Sequence, residues 1–172
     1  MKNYGYSEFV KEKFYPELQK FFEELFNEEK KNDGSVILFV SRKAYCLFLL
    51  MKKKKIISSE GYCIYSDRYV MKNIDTALFE GKTVYLVDDT VSTGRHIRDI
   101  CEMLKKRTSY EKIILQIFMK EYGFSQKAEN EIRTEYKAEF FCQCVKPRDE
   151  VLYFCSAETY VIHEAGIPYI VE

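Results

Sequence analysis

At 172 residues, with 47% hydrophobic and 31% charged residues, the chain is read as one globular domain large enough to bury a substantial core. Lys+Arg and Asp+Glu balance at 27 each, and the formal net charge of zero argues against broad binding to nucleic acid. The N-terminus MKNYGYSEF lacks an apolar signal core, and the longest apolar run, Ala44 to Met51, is too short to span a bilayer, so a cytoplasmic location without a membrane partner is expected.

Ser7 to Lys31 reads as a helix, interrupted or restarted near Pro16, with Phe14, Leu18, Phe21, Phe22 and Leu25 as its apolar stripe. Residues 1–34 are therefore expected to lie as a helical segment on an α/β core formed by residues 35–172. Val36 to Val40 (VILFV) is the first buried strand. A turn, Ser41-Arg42-Lys43, leads into an apolar helix over about Ala44 to Met51, whose C-terminal Lys52 to Lys55 suit the negative end of the helix dipole. Gly61 to Tyr65 is a second strand, ending in Ser66-Asp67-Arg68-Tyr69. Between Tyr69 and the next strand, Ile74, Ala77, Leu78 and Phe79 read as structured, which leaves little room for a long lid.

The most informative stretch is Val84 to His96, VYLVDDTVSTGRH. Val84 to Val87 form a buried strand, and the adjacent carboxylates of Asp88 and Asp89 end it. Thr90-Val91-Ser92-Thr93-Gly94 follows as a turn, and Ile97, Ile100, Cys101 and Leu104 continue at helical spacing. A turn entering a helix N-terminus offers unpaired N–H groups and a positive dipole end, and so attracts phosphate. Ser92 and Thr93 add hydroxyl donors, while Gly94 permits a close approach or a positive φ. Two carboxylates beside a phosphate site repel it unless they face something else; sugar hydroxyls or a divalent cation are the natural partners. The pattern describes a ribose 5-phosphate. An ordinary strand-to-helix turn with capping hydroxyls is the plainer alternative, but paired carboxylates at a buried strand end are costly without a ligand.

Further on, Lys112 to Met119 is another buried strand, and Ser125 to Lys137 an exposed, loosely packed helix with Ala128, Ile132 and Tyr136 as a narrow stripe. Phe140 to Val145 alternates as a sheet edge should, Val151 to Cys155 (VLYFC) reads as a further strand, and Ser156 as the cap of a helix ending at Gly166. The last residues, Tyr169 to Glu172, are strand-like. Cysteines at 46, 63, 101, 142, 144 and 155 sit mostly in apolar runs, as reduced core residues do. Cys142-x-Cys144 puts two thiols on one strand face, but His96 and His163 are distant in sequence, and a core role outweighs a zinc site.

Alternating strands and helices predict a parallel sheet covered on both faces, with ligands beyond the C-terminal strand ends. Asp88-Asp89, Ser41-Arg42 and Ser66-Arg68 all fall at that edge. The stretch VYLV-DD-TV-STG closely resembles the phosphoribosyl-pyrophosphate (PRPP) signature of type I phosphoribosyltransferases. The fold expected is thus α/β, a three-layer, parallel-sheet type I phosphoribosyltransferase-like fold. The resemblance implies that Thr90, Val91, Ser92, Thr93, Gly94, Arg95 and His96 hold the 5-phosphate. Asp88 and Asp89 would hold the ribose hydroxyls and, through these or water, Mg²⁺. Ser41, Arg42 and Lys43 occupy the place of the family's pyrophosphate loop, and Arg68 that of a basic residue helping there. On this resemblance Asp88, Asp89 and Arg68 are the catalytic candidates, and a homodimer is implied by analogy.

Three departures stand out. Arg95 and His96 replace the small residue and hydroxyl that usually follow the glycine, and the Ser41–Lys43 turn contains no glycine. That turn reads equally well as a surface turn with two basic residues. No obvious hood for the acceptor base is present; the leading helix and Glu121 to Val145 are the two candidates to supply one. Transfer of a phosphoribosyl group to a nitrogenous base is the first expectation. A non-catalytic PRPP- or nucleotide-binding module is the second, and a structural α/β domain without a ligand the third.

Overall fold

A computed structural model describes residues 8, 12–13, 15–32, 34–56, 63–65 and 73–167. Five α-helices and five strands are formed among these residues: α1 (Tyr15–Lys31), β1 (Val36–Phe39), α2 (Arg42–Lys53), β2 (Cys63–Tyr65), β3 (Thr83–Val91), α3 (Arg95–Arg107), β4 (Lys112–Glu121), α4 (Gln126–Tyr136), β5 (Ala138–Lys146) and α5 (Arg148–Glu164). A short 3₁₀ turn, Thr76–Phe79, precedes β3 and buries Phe79. The strands make one parallel sheet in the order β2-β1-β3-β4-β5, as the alternation of strand and helix requires.

Side-chain alternation along the buried strands sends apolar residues to both faces. On one face Tyr85 and Val87 meet α1, α2 and α5 in an aromatic-rich layer that includes Phe21, Phe22, Phe48 and Phe154. On the other, Val84 and Leu86 meet α3 and α4 through Ile97, Ile100, Leu104 and Ile132. Burial of these side chains, about 1.5–3 kcal/mol each, is the main force holding the layers together. The three-layer α/β arrangement is the one expected from the sequence.

Several local assignments change. Val151 to Cys155 is helix, not strand: Val151, Phe154, Ala157, Glu158, Val161 and Ile162 recur at three- and four-residue spacing along the buried side of α5. Five apolar residues in a row fit a strand or one side of a helix equally well, and here the longer period decides. Ser156 is consequently not a cap but mid-helix, its hydroxyl donating back to the Leu152 carbonyl at 3.1 Å. Strand β3 does not stop at Val87, since its ladder with β4 runs on through Asp88↔Ile117 and Thr90↔Met119 to Val91↔Lys120. Arg42 and Lys43 belong to the first turn of α2 rather than to a free loop, because Ser41 caps that helix. Helix α4 is packed more firmly than its stripe suggests: Ile132 and Tyr136 are buried, and so is Glu129, held by Lys120 (2.9 Å) and Arg133 (2.7 Å).

The edge position of β5 agrees with its alternating sequence. Phe14, the Ser66–Tyr69 segment with Arg68, and the strand-like Tyr169 to Glu172 lie outside the described residues.

Candidate functional site

The sheet order places a switch point between β1 and β3. From β1 the chain moves outward to β2, and then returns to the other side of β1 to lay down β3. The helices that follow these two neighbouring strands lie on opposite faces, α2 with the aromatic layer and α3 with the aliphatic one. A crevice must open between two such helices at the C-terminal strand ends. It is a cleft of about 320 Å³, and it is lined by Ser41, Arg42, Lys43 and the whole stretch from Asp88 to Ile97. Chain topology thus brings together the Ser41–Lys43 turn and the Asp88–His96 stretch, which lie more than forty residues apart in sequence.

Asp88 and Asp89 are each only 5% exposed. An Asp88 Oδ1 oxygen accepts the Asp89 N–H at 2.9 Å. Asp89 accepts from the Ser41 hydroxyl at 2.5 Å and from the Thr90 hydroxyl at 3.3 Å. Burial, and next the neighbouring Asp89 charge, hold the Asp88 carboxyl well above the usual carboxylate range, against the pull of the Ser41 hydroxyl and the Asp89 N–H.

The turn into α3 has the geometry its sequence requires. Gly94 stands at the N-cap of α3 with φ +69°, and no side chain caps the helix there. A Cβ at this position would meet Phe124 Cε2 at 2.8 Å and Ile132 Cδ1 at 3.3 Å, so both φ and packing demand glycine. Ser92, Thr93 and Arg95 are exposed and His96 is half-buried. Arg98 braces the turn from below, donating to the Thr93 carbonyl at 2.8 Å.

Lys43 is placed differently from the rest. Its ammonium turns toward α5, 2.9 Å from Glu158 Oε1, and donates to the Cys155 carbonyl at 3.0 Å. Burial alone would lower the Lys43 pKa, but Glu158 beside it raises it. Glu158 is wholly buried. Its carboxyl is pushed well above the ordinary value by burial first and the Asp89 charge second, despite Lys43. Cys155 completes this inner cluster, with Sγ 3.7 Å from the Thr90 hydroxyl and a thiol pushed up to about 11 by burial and then by Glu158.

Glu158 and Cys155 are the site residues that sequence reasoning missed. The available signal was a lone glutamate on the apolar side of a helical repeat, and reading Val151 to Cys155 as a strand concealed it. Arg68 lies outside the described residues. Cys142 and Cys144 donate to the carbonyls of Cys144 (3.0 Å) and Phe118 (3.2 Å), which suits core thiols.

The acidic pair suits Mg²⁺ held through sugar hydroxyls or water, because it presents hard oxygens already partly engaged by Ser41, Thr90 and the Asp89 N–H. The trio Asp89, Cys155 and Glu158 also brings its ligand atoms within 4.8 Å of one another. It fits Mg²⁺ poorly, since it includes a thiol and an adjacent ammonium. No helix among the described residues is long and apolar enough to cross a membrane.

No family model and no curated protein matches the chain. Among solved structures it is similar to a hypoxanthine-guanine-xanthine phosphoribosyltransferase, with 18% identity, TM-score 0.52, and coverage of 77% of this chain and 75% of that one. Two crystal forms of a hypoxanthine phosphoribosyltransferase from Staphylococcus aureus are 13% and 16% identical, with TM-scores of 0.49 and 0.48. Both cover 77% of this chain, and 75% and 74% of theirs. The first of these, together with the sheet order, establishes the fold as type I phosphoribosyltransferase-like.

Proposed function

We propose that the cleft binds a ribose 5-phosphate group and that the protein transfers the phosphoribosyl group of PRPP to a nitrogenous base, releasing pyrophosphate. The observation that carries this reading is the pairing of two desolvated carboxylates, Asp88 and Asp89, with an uncapped helix N-terminus at Gly94 in one cleft. The phosphate would sit in the Thr90–His96 turn, on the N–H groups of α3 and the hydroxyls of Ser92 and Thr93, with Arg95 adding charge. The ribose hydroxyls would donate to Asp88 and Asp89. Arg42 and Arg68 are assigned to the pyrophosphate, with Lys43 as a third cation once it leaves Glu158.

In the reaction, a nitrogen lone pair of the base forms a bond to C1 while the bond from C1 to pyrophosphate breaks, through an oxocarbenium-like transition state. The carboxylates orient the ring and favour positive charge on it, and the basic residues stabilise the departing anion. Mg²⁺, when bound, neutralises phosphate charge. No protein nucleophile is required.

A second reading has its own observation. The ion pair of Lys43 with Glu158 and the glycine-free turn beside it favour a module that binds PRPP or a nucleotide without turnover. Calorimetric titration with PRPP, with and without Mg²⁺, tests the site; saturable binding that is lost in Asp88→Asn/Asp89→Asn is expected. Base-dependent pyrophosphate release across purines and pyrimidines then separates transferase from sensor. Absence of binding at millimolar PRPP would remove the transferase reading and leave the fold.

A further inference from the structure

Two helix N-termini flank the cleft, and they are not alike. That of α3 has no side chain at its N-cap glycine, and only the Arg95 N–H meets a hydroxyl, that of Thr93 at a long 3.4 Å. That of α2 is closed by its own N-cap: Ser41 Oγ accepts the Ala44 N–H at 3.1 Å, and the Ser41 carbonyl accepts the Tyr45 N–H at 3.2 Å. The Ser41 hydroxyl proton is also committed, to Asp89. One seat for a phosphate is therefore open and its neighbour is filled.

Charge sharpens this asymmetry. On the α2 side stand three carboxylates, Asp88, Asp89 and Glu158, none more than 5% exposed. Lys43 lines the same cleft, but its ammonium is turned to Glu158 and the Cys155 carbonyl. For Lys43 to meet a pyrophosphate, the buried Glu158 would lose its cation and have to take up a proton or stay as an unpaired charge, and either opposes the move. Lys43, which lines the pyrophosphate side of the cleft together with Arg42, is thus turned to Glu158 instead.

Building on the proposed ribose 5-phosphate site, we infer that Glu158 is a specificity-determining residue. By holding Lys43 away from the ligand it makes the cleft prefer a ribose 5-phosphate monoester, the group carried by a sugar phosphate or a nucleoside 5′-monophosphate, over PRPP. Glu158 lies behind Asp89 and sets this preference through Lys43. The cleft then resembles a product or nucleotide site at rest, and becomes a PRPP site only when Lys43 is released.

Calorimetric competition between ribose 5-phosphate and PRPP, with and without Mg²⁺, tests this on the wild-type chain, on Glu158→Gln and on Glu158→Gln/Lys43→Met. Wild type should bind ribose 5-phosphate more tightly than PRPP, by about threefold or more. Glu158→Gln keeps the shape of the buried side chain and removes its charge. It should tighten PRPP by about five- to tenfold and leave ribose 5-phosphate within about twofold, and adding Lys43→Met should abolish that gain. Wild-type binding of PRPP as tight as that of ribose 5-phosphate or tighter, or a ratio unmoved by Glu158→Gln, overturns the inference while the ribose 5-phosphate site stands. Binding of neither ligand removes the site itself, and the inference with it. Should Glu158→Gln not fold, the wild-type ratio alone decides.

Discussion

Among the described residues the sheet borders two hollows, and the larger is not the one that gathers buried charge. A space of about 560 Å³ lies toward the strand starts, between α1 and the β4–β5 edge, lined among others by Phe21, Glu28, Tyr85, Lys112, Glu139 and Phe141. Its charges are exposed and neutralised locally: Lys112 pairs with Glu139 at 3.1 Å, and Glu28 with Lys31 at 2.5 Å. The Tyr85 hydroxyl accepts from Asn32 at 2.5 Å. At the strand ends, the cleft of about 320 Å³ instead gathers buried carboxylates around a single lysine. Volume follows from how helices happen to pack. Desolvated charge is expensive and persists where a ligand or partner offsets it.

The largest effect that would sharpen this contrast belongs to the acidic pair. Asp88→Asn/Asp89→Asn should weaken ribose 5-phosphate binding by about a hundredfold or more, since charged hydrogen bonds contribute about 1.5–3 kcal/mol each. Circular dichroism should show the fold intact. Gly94→Ala should come next, because the new Cβ lies 2.8 Å from Phe124 Cε2 at φ +69°. A loss of about 1–3 kcal/mol in urea unfolding is expected, with weaker phosphate binding alongside.

A third test uses pH. The Asp88 carboxyl holds its proton more tightly folded than unfolded. Its contribution is therefore most favourable below the ordinary carboxylate range and declines as pH rises toward its raised folded value. Asp88→Asn should make that decline shallower in a pH series of urea midpoints, and should stabilise the protein near neutrality by about 1–2 kcal/mol. Glu158, raised in the same direction, leaves a residual slope. The smallest effect is expected at the other hollow. Lys112→Ala removes an exposed pair and should change stability by no more than about 0.5 kcal/mol, with ribose 5-phosphate affinity unchanged. A clear loss of affinity there would break the comparison.

Legibility in the sequence tracked how local each signal was. The acidic turn could be read because its parts are contiguous: strand, carboxylates, hydroxyls, glycine and helix follow one another within Val84 to Leu104. The aromatic stripe of α1 and the alternation of β5 were equally local, at periods of 3.6 and 2. Val151 to Cys155 went wrong because a short apolar run carries no period of its own. That error concealed Glu158, whose meaning depends on a helix lying over β3 and β4.

The sequence by itself determined the alternation of elements, the parallel sheet and the acidic turn, because backbone geometry and side-chain periodicity act between near neighbours. Only the tertiary structure decided that Lys43, adjacent to the cleft in sequence, belongs to Glu158 more than a hundred residues away. The reason is physical. Once α5 packs over the strand ends, a buried carboxylate takes the nearest cation, and chain distance has no bearing on which one that is.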